Sequence, residues 1–278
     1  MGTVVFGPYM GELGHEVRTW APYCQAIMQT MPEGTRFHAI SWPGRAVLYP
    51  GCVFHTWSPP FGIPEWMTLK NNKQFDWAWI KDRIDYDQIY MPKPGGKAAL
   101  ALYPKQKFMI SSVKPWTLTP IKRVAVIARN RTDLAADRNY PHWDALCAIL
   151  RTQYPQAQLV AIGTMQGNLC PAGTEDFRWP VELAHSLQHM ADVIGVSDFV
   201  IGESSGPMHF ALSMCGRPVS VLCKPGIAAR YEGPDNWWDV PVHTQTAKDF
   251  EKVTPAMWLD GLPPTLCPST LEAGKQHG

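Results

Sequence analysis

The chain has no Cys-x-x-Cys pair, no Gly-x-Gly-x-x-Gly and no window of about 18 uninterrupted apolar residues. Seven cysteines are scattered through it, an odd number without a pairing pattern, so neither a zinc site nor a disulfide framework is indicated. A reduced, cytoplasmic setting is the expectation. No basic start and long apolar core precede the first strand-like residues, so no signal peptide is expected, and the lack of a long apolar run argues against a membrane span. Acidic residues are missing from one long stretch. Residues 88–132 hold no Asp or Glu but nine basic residues: Lys93, Lys97, Lys105, Lys107, Lys114, Lys122, Arg123, Arg129 and Arg131. In a chain of net charge +1, such a block points to one surface that meets an anion, either a nucleotide diphosphate or a nucleic-acid backbone. A solvated, lysine-rich loop is the plain alternative.

What remains describes an ordinary globular protein, 45% apolar and 18% charged, long enough for two domains of roughly 120 residues each. The stretch FVIGESSGPMHFAL at 199–212 is the most informative. An apolar run ends in Gly202, Ser204 and Ser205 follow, then Gly206, Pro207 and a helical-looking segment. That order predicts buried strand, tight turn, helix, with Ser204 or Ser205 as N-cap and Pro207 in the first turn. Backbone N–H groups and the dipole at such a helix start suit a phosphate. A simple βαβ turn without a ligand has the same spelling. Gly216 ends the helix, and residues 218–222 read as the next parallel strand.

The chain opens in the same way: a strand at 3–6, a loop holding Gly11, Glu12, Gly14 and His15, then a helix towards Met31 with one apolar face. The loop falls at the carboxyl end of the first strand, where open α/β sheets place ligands. A carboxylate beside an imidazole there could act as a general base. Alternatively, Glu12 and Glu16 only favour the helix dipole and His15 is a surface residue. Further strands are expected at 36–41, 52–57 and 88–91. Trp57, Phe61, Trp66, Trp77 and Trp79 suit either stacking on a ligand or a core, with core the commoner use. Lys93 and Lys97 lie in a basic turn-rich loop.

A second α/β unit starts at Arg123. The strand there ends near Arg129 and Arg131, a polar loop carries Arg138, a helix covers 142–153, and a strand at 158–163 ends in Gly163. An amphipathic helix over 182–190 precedes the stretch at 199. Past Cys223 the chain reads as irregular up to a last helix at 248–259. Strands alternating with helices, twice over, predict α/β architecture in two doubly wound, Rossmann-like domains. The boundaries expected are 1–118, 119–250 and a C-terminal helix and tail at 251–278 that packs back towards the N-terminal domain. Arg129, Arg131 and Arg138 with the Ser204–Gly206 turn make a candidate diphosphate clamp, and salt bridges are their plainer use.

The segment from 182 to 222 resembles the nucleotide-sugar segment of heptosyltransferase-type glycosyltransferases. Its matches are Gly202, Ser205, Gly206, Pro207, Met208, His209, Ala211, Gly216 and Pro218. Where that family carries Asp, this chain has Ser204, with Glu203 beside it. GPYMGELGHEV at 7–17 is also similar to the GPW-GEFGWE opening of phage and bacterial glycosyltransferases. The resemblance implies a GT-B-like fold, its two domains facing a central cleft, and a transferase that is inverting and metal-independent. The co-substrate would be a UDP-, GDP- or ADP-sugar, held by Arg129, Arg131, Arg138, Gly163, Ser204, Ser205, Gly206, Pro207 and His209. Glu12, aided by His15, would be the base. Gly11, Gly14, Lys93 and Lys97 would face the acceptor, either a saccharide of lipopolysaccharide type or a hydroxymethylated pyrimidine in DNA. No obligate protein partner is expected.

Two rival readings stand beside this. Residues 202–206 also satisfy G-x-S-x-G, the nucleophile elbow of α/β-hydrolases, with Asp235, Asp239 and His243 following in the order such a triad needs. A non-catalytic nucleotide-sugar or nucleic-acid binding module is the other.

Overall fold

A computed structural model describes residues 2–57, 77–92, 108–110, 112–132, 136–180, 186–233 and 236–266. The chain divides into two compact units, Met1–Ile110 and Ser111–Gly278. The division falls upstream of the expected boundary at 118 because residues 112–122 are tied to the second unit. Trp116 Nε1 donates to the Asp198 carbonyl, the Asp198 carboxylate accepts the Lys122 and Arg123 backbone N–H groups, and Arg217 donates to the Lys114 carbonyl.

The first unit is built on a four-stranded parallel sheet of order β3-β2-β1-β4. Its strands are β1 (Thr3–Phe6), β2 (Arg36–Ser41), β3 (Val53–Thr56) and β4 (Gln88–Tyr90). Helix α1 (Leu13–His15) runs through a π-helical turn, Glu16–Trp20, into α2 (Ala21–Thr30), and α3 covers Trp77–Lys81. Val17, Trp20 and Cys24 from the expected apolar face are fully buried. Trp57, Trp77 and Trp79 pack against a cluster of Val5, Met10, Ile40, Ile80 and Ile84, so for these three the core reading holds. Phe61 and Trp66 lie outside the described residues.

The second unit holds a six-stranded parallel sheet: β5 (Arg123–Ile127), β6 (Gln158–Ala161), β7 (Glu175–Asp176), β8 (Phe199–Glu203), β9 (Val219–Cys223) and β10 (Val242–Thr246). From one edge the order is β7-β6-β5-β8-β9-β10, that of doubly wound dinucleotide-binding sheets. All residues of β8 and β9 are buried, the polar Glu203 and Ser220 included, so these strands show no alternation of apolar with exposed polar residues. Gly202 is required by packing: a Cβ there would lie 2.9 Å from Ile127 Cβ and 2.8 Å from Met208 Sδ. The helices are α4 (Trp143–Gln153), α5 (Ser186–Gly195), α6 (Gly206–Ser213), α7 (Ala229–Glu232) and α8 (Pro255–Asp260).

Three expectations are corrected here. The region after Cys223 is not wholly irregular, since β10 pairs with β9 from Val242 to Thr246; as an edge strand, Val-His-Thr-Gln-Thr lacks the apolar signal of its neighbours. The last helix is split. A short turn at Phe250–Lys252 gives way to extended Val253, and α8 starts afresh with Thr254 as its cap and Pro255 in its first turn. Nor does α8 leave the second unit for the first. Trp258 is fully buried in the second core, edge-on to Tyr140 at 5.1 Å and near Trp143 at 5.5 Å, and its indole N–H donates to Ser220 Oγ. No described helix is long and apolar enough to cross a membrane.

Candidate functional site

In the second unit the sheet reverses its winding between β5 and β8, and the crevice beyond those strand ends is where such sheets bind ligands. Sequence and topology bring Arg129, Glu203, Ser204 and Ser205 to that point. Glu203 ends β8 with its side chain fully buried. Its carboxylate accepts the Arg129 N–H (2.9 Å), the Tyr140 N–H (2.7 Å) and the Trp143 indole N–H (3.0 Å). Those three donors favour the charged form, yet burial outweighs them and lifts the carboxyl to about 7. Glu203 therefore ties Arg129, Tyr140 and Trp143 together from within.

The next residue faces differently. Ser204 Oγ pairs with the Tyr231 hydroxyl at 3.0 Å, and its carbonyl receives Arg129 Nη1 at 3.4 Å. Tyr231 in turn lies flat on the His209 ring, 4.3 Å apart with 5° between planes. Ser205 is the N-cap of α6, as the sequence allowed, but its side chain makes no capping bond, and Ser205 Oγ is shut off from solvent without a hydrogen-bond partner among the described residues. Gly206 and Pro207 form the first turn of α6.

Around this point the remaining predicted donor residues are spread more widely. Gly163 follows β6 with φ +127°, and an added Cβ would collide with the Asn168 amide. Asn168 bridges to Arg129, so the Gly163 loop folds against the Arg129 loop. Arg131 and Arg138 are exposed on the rim. The Asn139 side chain clamps the backbone of Arg131, donating to its carbonyl and accepting its N–H. Lys224, at the end of β9, pairs with Asp137 at 3.2 Å.

The hydrolase triad is not assembled. His243 Nδ1 pairs with Ser220 Oγ at 3.0 Å, and no histidine hydrogen-bonds Ser204 among the described residues. A nucleophile elbow strains its serine, whereas Asp239 is the one non-glycine residue with positive φ among those described. Asp235 lies outside them.

In the first unit, residues 7–12 leave the carboxyl end of β1. Glu12 is the N-cap of α1 and exposed, and no hydrogen bond or ion pair engages its carboxylate among the described residues. His15 follows three residues later, one turn on, and Gly14 lies within α1. Lys93 and Lys97 lie outside the described residues. Glu16, expected at most to favour the helix dipole, is fully buried beneath this loop and accepts hydrogen bonds from Ser41 Oγ (2.6 Å), the Arg45 guanidinium and the Tyr49 hydroxyl. The signal was available, since Glu16 shares a helix face with buried Trp20, four residues on. One Asp-x-Asp does occur, at Asp85-Tyr86-Asp87. Asp87 Oδ2 accepts the Thr3 N–H at the amino end of β1, the end opposite the glycine loop. Among the described residues no three His, Cys, Asp or Glu side chains gather as a metal site.

The chain is similar in fold to solved glycosyltransferases. Against ADP-heptose lipopolysaccharide heptosyltransferase II of E. coli the TM-score is 0.57, over 99% of this chain and 100% of that one, at 14% identity. Against the glycosyl transferase family 9 protein of Veillonella parvula it is 0.56, over 88% and 86%, at 11% identity. The fold is GT-B. E. coli heptosyltransferase WaaC, solved with ADP-2-deoxy-2-fluoro heptose, gives a TM-score of 0.54 over 99% of both chains at 12% identity. At these identities the likeness is one of fold. No family model matches the sequence, and no curated protein matches it.

Proposed function

We propose that the chain is a glycosyltransferase that moves a sugar from a nucleotide-diphosphate sugar to an acceptor hydroxyl. The observation that carries this reading is Ser205 Oγ, a buried hydroxyl without a hydrogen-bond partner among the described residues, at the start of α6 beside the Arg129 loop at the winding reversal. An unsatisfied buried hydroxyl costs about 1–3 kcal/mol, and a phosphate oxygen would satisfy it. In this reading the α6 N-terminus, Ser205 and Arg129 take the diphosphate, while Ser204, Gly206, Pro207 and His209 shape its seat. Gly163 leaves the neighbouring loop close, and Arg131 and Arg138 add positive charge at the rim.

Chemistry follows from charge. As the bond from the sugar C1 to the diphosphate oxygen breaks, its electron pair stays with the phosphate, and preorganised N–H groups and Arg129 stabilise that growing charge. The acceptor oxygen attacks C1 from the opposite face, inverting it, and its proton passes to the Glu12 carboxylate. His15, one turn along, supports that transfer. No metal is assigned a role. The acceptor is a saccharide and the compartment the cytoplasm, where sugar nucleotides are made available.

The test incubates the full chain with ADP-, UDP- and GDP-sugars, and reads released nucleotide diphosphate and the masses of candidate acceptors. ADP-sugars come first, because the E. coli neighbours act on or hold ADP-linked heptoses. Release of nucleotide diphosphate with a sugar-sized gain on a saccharide supports the reading. A gain on hydroxymethylcytosine DNA would move the acceptor to nucleic acid. Nucleotide binding without any turnover would favour a binding module, and neither binding nor release would overturn the proposal.

A further inference from the structure

The buried cluster under the glycine loop has more in it than a neutralised charge. Glu16 lies at the start of the π-helical turn, four residues after Glu12, and carries three donors: Ser41 at the end of β2, and Arg45 and Tyr49 from the segment after it. Arg45 is itself 7% exposed, and the same Nη1 that meets Glu16 also donates to the Gly11 carbonyl at 3.1 Å. The next peptide is held from the other side, where the Tyr9 hydroxyl donates to the Glu12 carbonyl at 3.0 Å. Arg45 also lies over the Trp42 ring, 5.9 Å from its centre. One guanidinium thus joins the loop after β1, the loop after β2 and the buried carboxylate between them. Burying an ion pair is a poor way to gain stability, since desolvation offsets most of the attraction. Its geometric result is specific: the peptide just before Glu12 is held by its carbonyl to the anchored guanidinium.

We propose that Arg45 is a positioning residue for transfer: anchored by Glu16, it fixes the Gly11 peptide and hence the direction in which the Glu12 carboxylate leaves the loop. The inference rests on the reading of Glu12 as the base. A displacement of about 1 Å in a catalytic group can cost on the order of 100-fold in rate, so the clamp is worth its burial even at no gain in stability.

The experiment uses the full chain and two routes of perturbation. Arg45→Lys keeps a positive charge for Glu16 but replaces Nη1, a donor fixed by the planar guanidinium and shared by both partners, with a freely rotating ammonium on a different stem. The double change Glu16→Met with Arg45→Met removes both charges together and guards against a misfolded single variant. Hydrogen exchange of the amides from Leu13 to Glu16 is expected to quicken about tenfold in both, with the amides of β8 and β9 unchanged. On whichever of ADP-, UDP- or GDP-glucose the wild type cleaves, kcat is expected to fall about 10- to 100-fold, with the donor KM unmoved. Placed in a Glu12→Gln background, Arg45→Lys is expected to lower kcat no further. Unchanged exchange, or a kcat loss that simply adds to that of Glu12→Gln, would overturn the proposal. Near-normal turnover in Glu12→Gln alone would instead remove Glu12 as the base, and the exchange result would still decide whether Arg45 holds the loop.

Discussion

Glu203 accepts the backbone N–H of Arg129 at 2.9 Å, joining the ends of β8 and β5 through a carboxylate that never meets water. Because burial lifts this carboxyl to about 7 from an ordinary 4.5, the folded protein keeps a proton that the unfolded chain has lost between those values. The contribution to stability is therefore full below the unfolded value and is lost as pH rises through the folded one, a change of about 3 kcal/mol. The urea midpoint should fall as pH rises from about 4.5 to about 7, and Glu203→Gln, which cannot ionise, should remove most of that fall. Parallel pH slopes in wild type and variant would contradict this.

Glu12→Gln removes a base while leaving the loop intact. On the proposed reading kcat drops by about 100-fold or more, and the donor KM stays within a factor of about two. Steady-state kinetics on the donor that the wild type prefers will decide it, and a kcat near that of the wild type would clear Glu12 of any role.

Tyr231 couples two predicted donor residues, stacking on His209 and bonding Ser204. Tyr231→Phe keeps the stack and loses one hydrogen bond, so stability should fall by about 1 kcal/mol. Tyr231→Ala also removes a fully buried ring and should cost about 3–5 kcal/mol. Thermal and urea unfolding separate the two, and equal losses would mean that the stack contributes nothing.

Glu16→Ala leaves the Arg45 charge buried without its carboxylate and should destabilise the first unit by about 3–5 kcal/mol. Replacing both residues with Met should cost less than that single change. Denaturant unfolding of the two variants gives the comparison, and a double variant weaker than the single would refute it.

Elements whose local signal and tertiary use agree were legible in the sequence. The strand, turn and helix from Phe199 to Ser213 follow from an apolar run, a glycine and an N-terminal proline, and β1, β2, β5 and β6 are equally plain. Edge strands were not: β10 is half polar and β7 is two acidic residues long, so only their neighbours define them. The helix expected over 182–190 lies at Ser186–Gly195, with 182–185 outside the described residues. At the candidate site, Ser205 and Arg129 could be found from position alone. Glu203 could not, because its role depends on donors 60 to 74 positions away in the chain. Local reading took Ser204 as the residue of interest in that pair and left its neighbour as a remark. Glu16 was misjudged because a carboxylate in a first turn has a ready explanation in the helix dipole, and only Ser41, Arg45 and Tyr49 reveal the other one.

Trp258 comes late in the chain, yet it touches Tyr140 and Trp143 in the centre of the second unit, and Leu266 is buried in the same core. Synthesis from the N-terminus therefore delivers the six strands before the side chains that seal them. The core of this unit stays open until Trp258 and Leu266 have been added. Arrest at Cys223 would present a growing chain that chaperones can still hold, whereas the first unit has by then had its whole sequence to fold with.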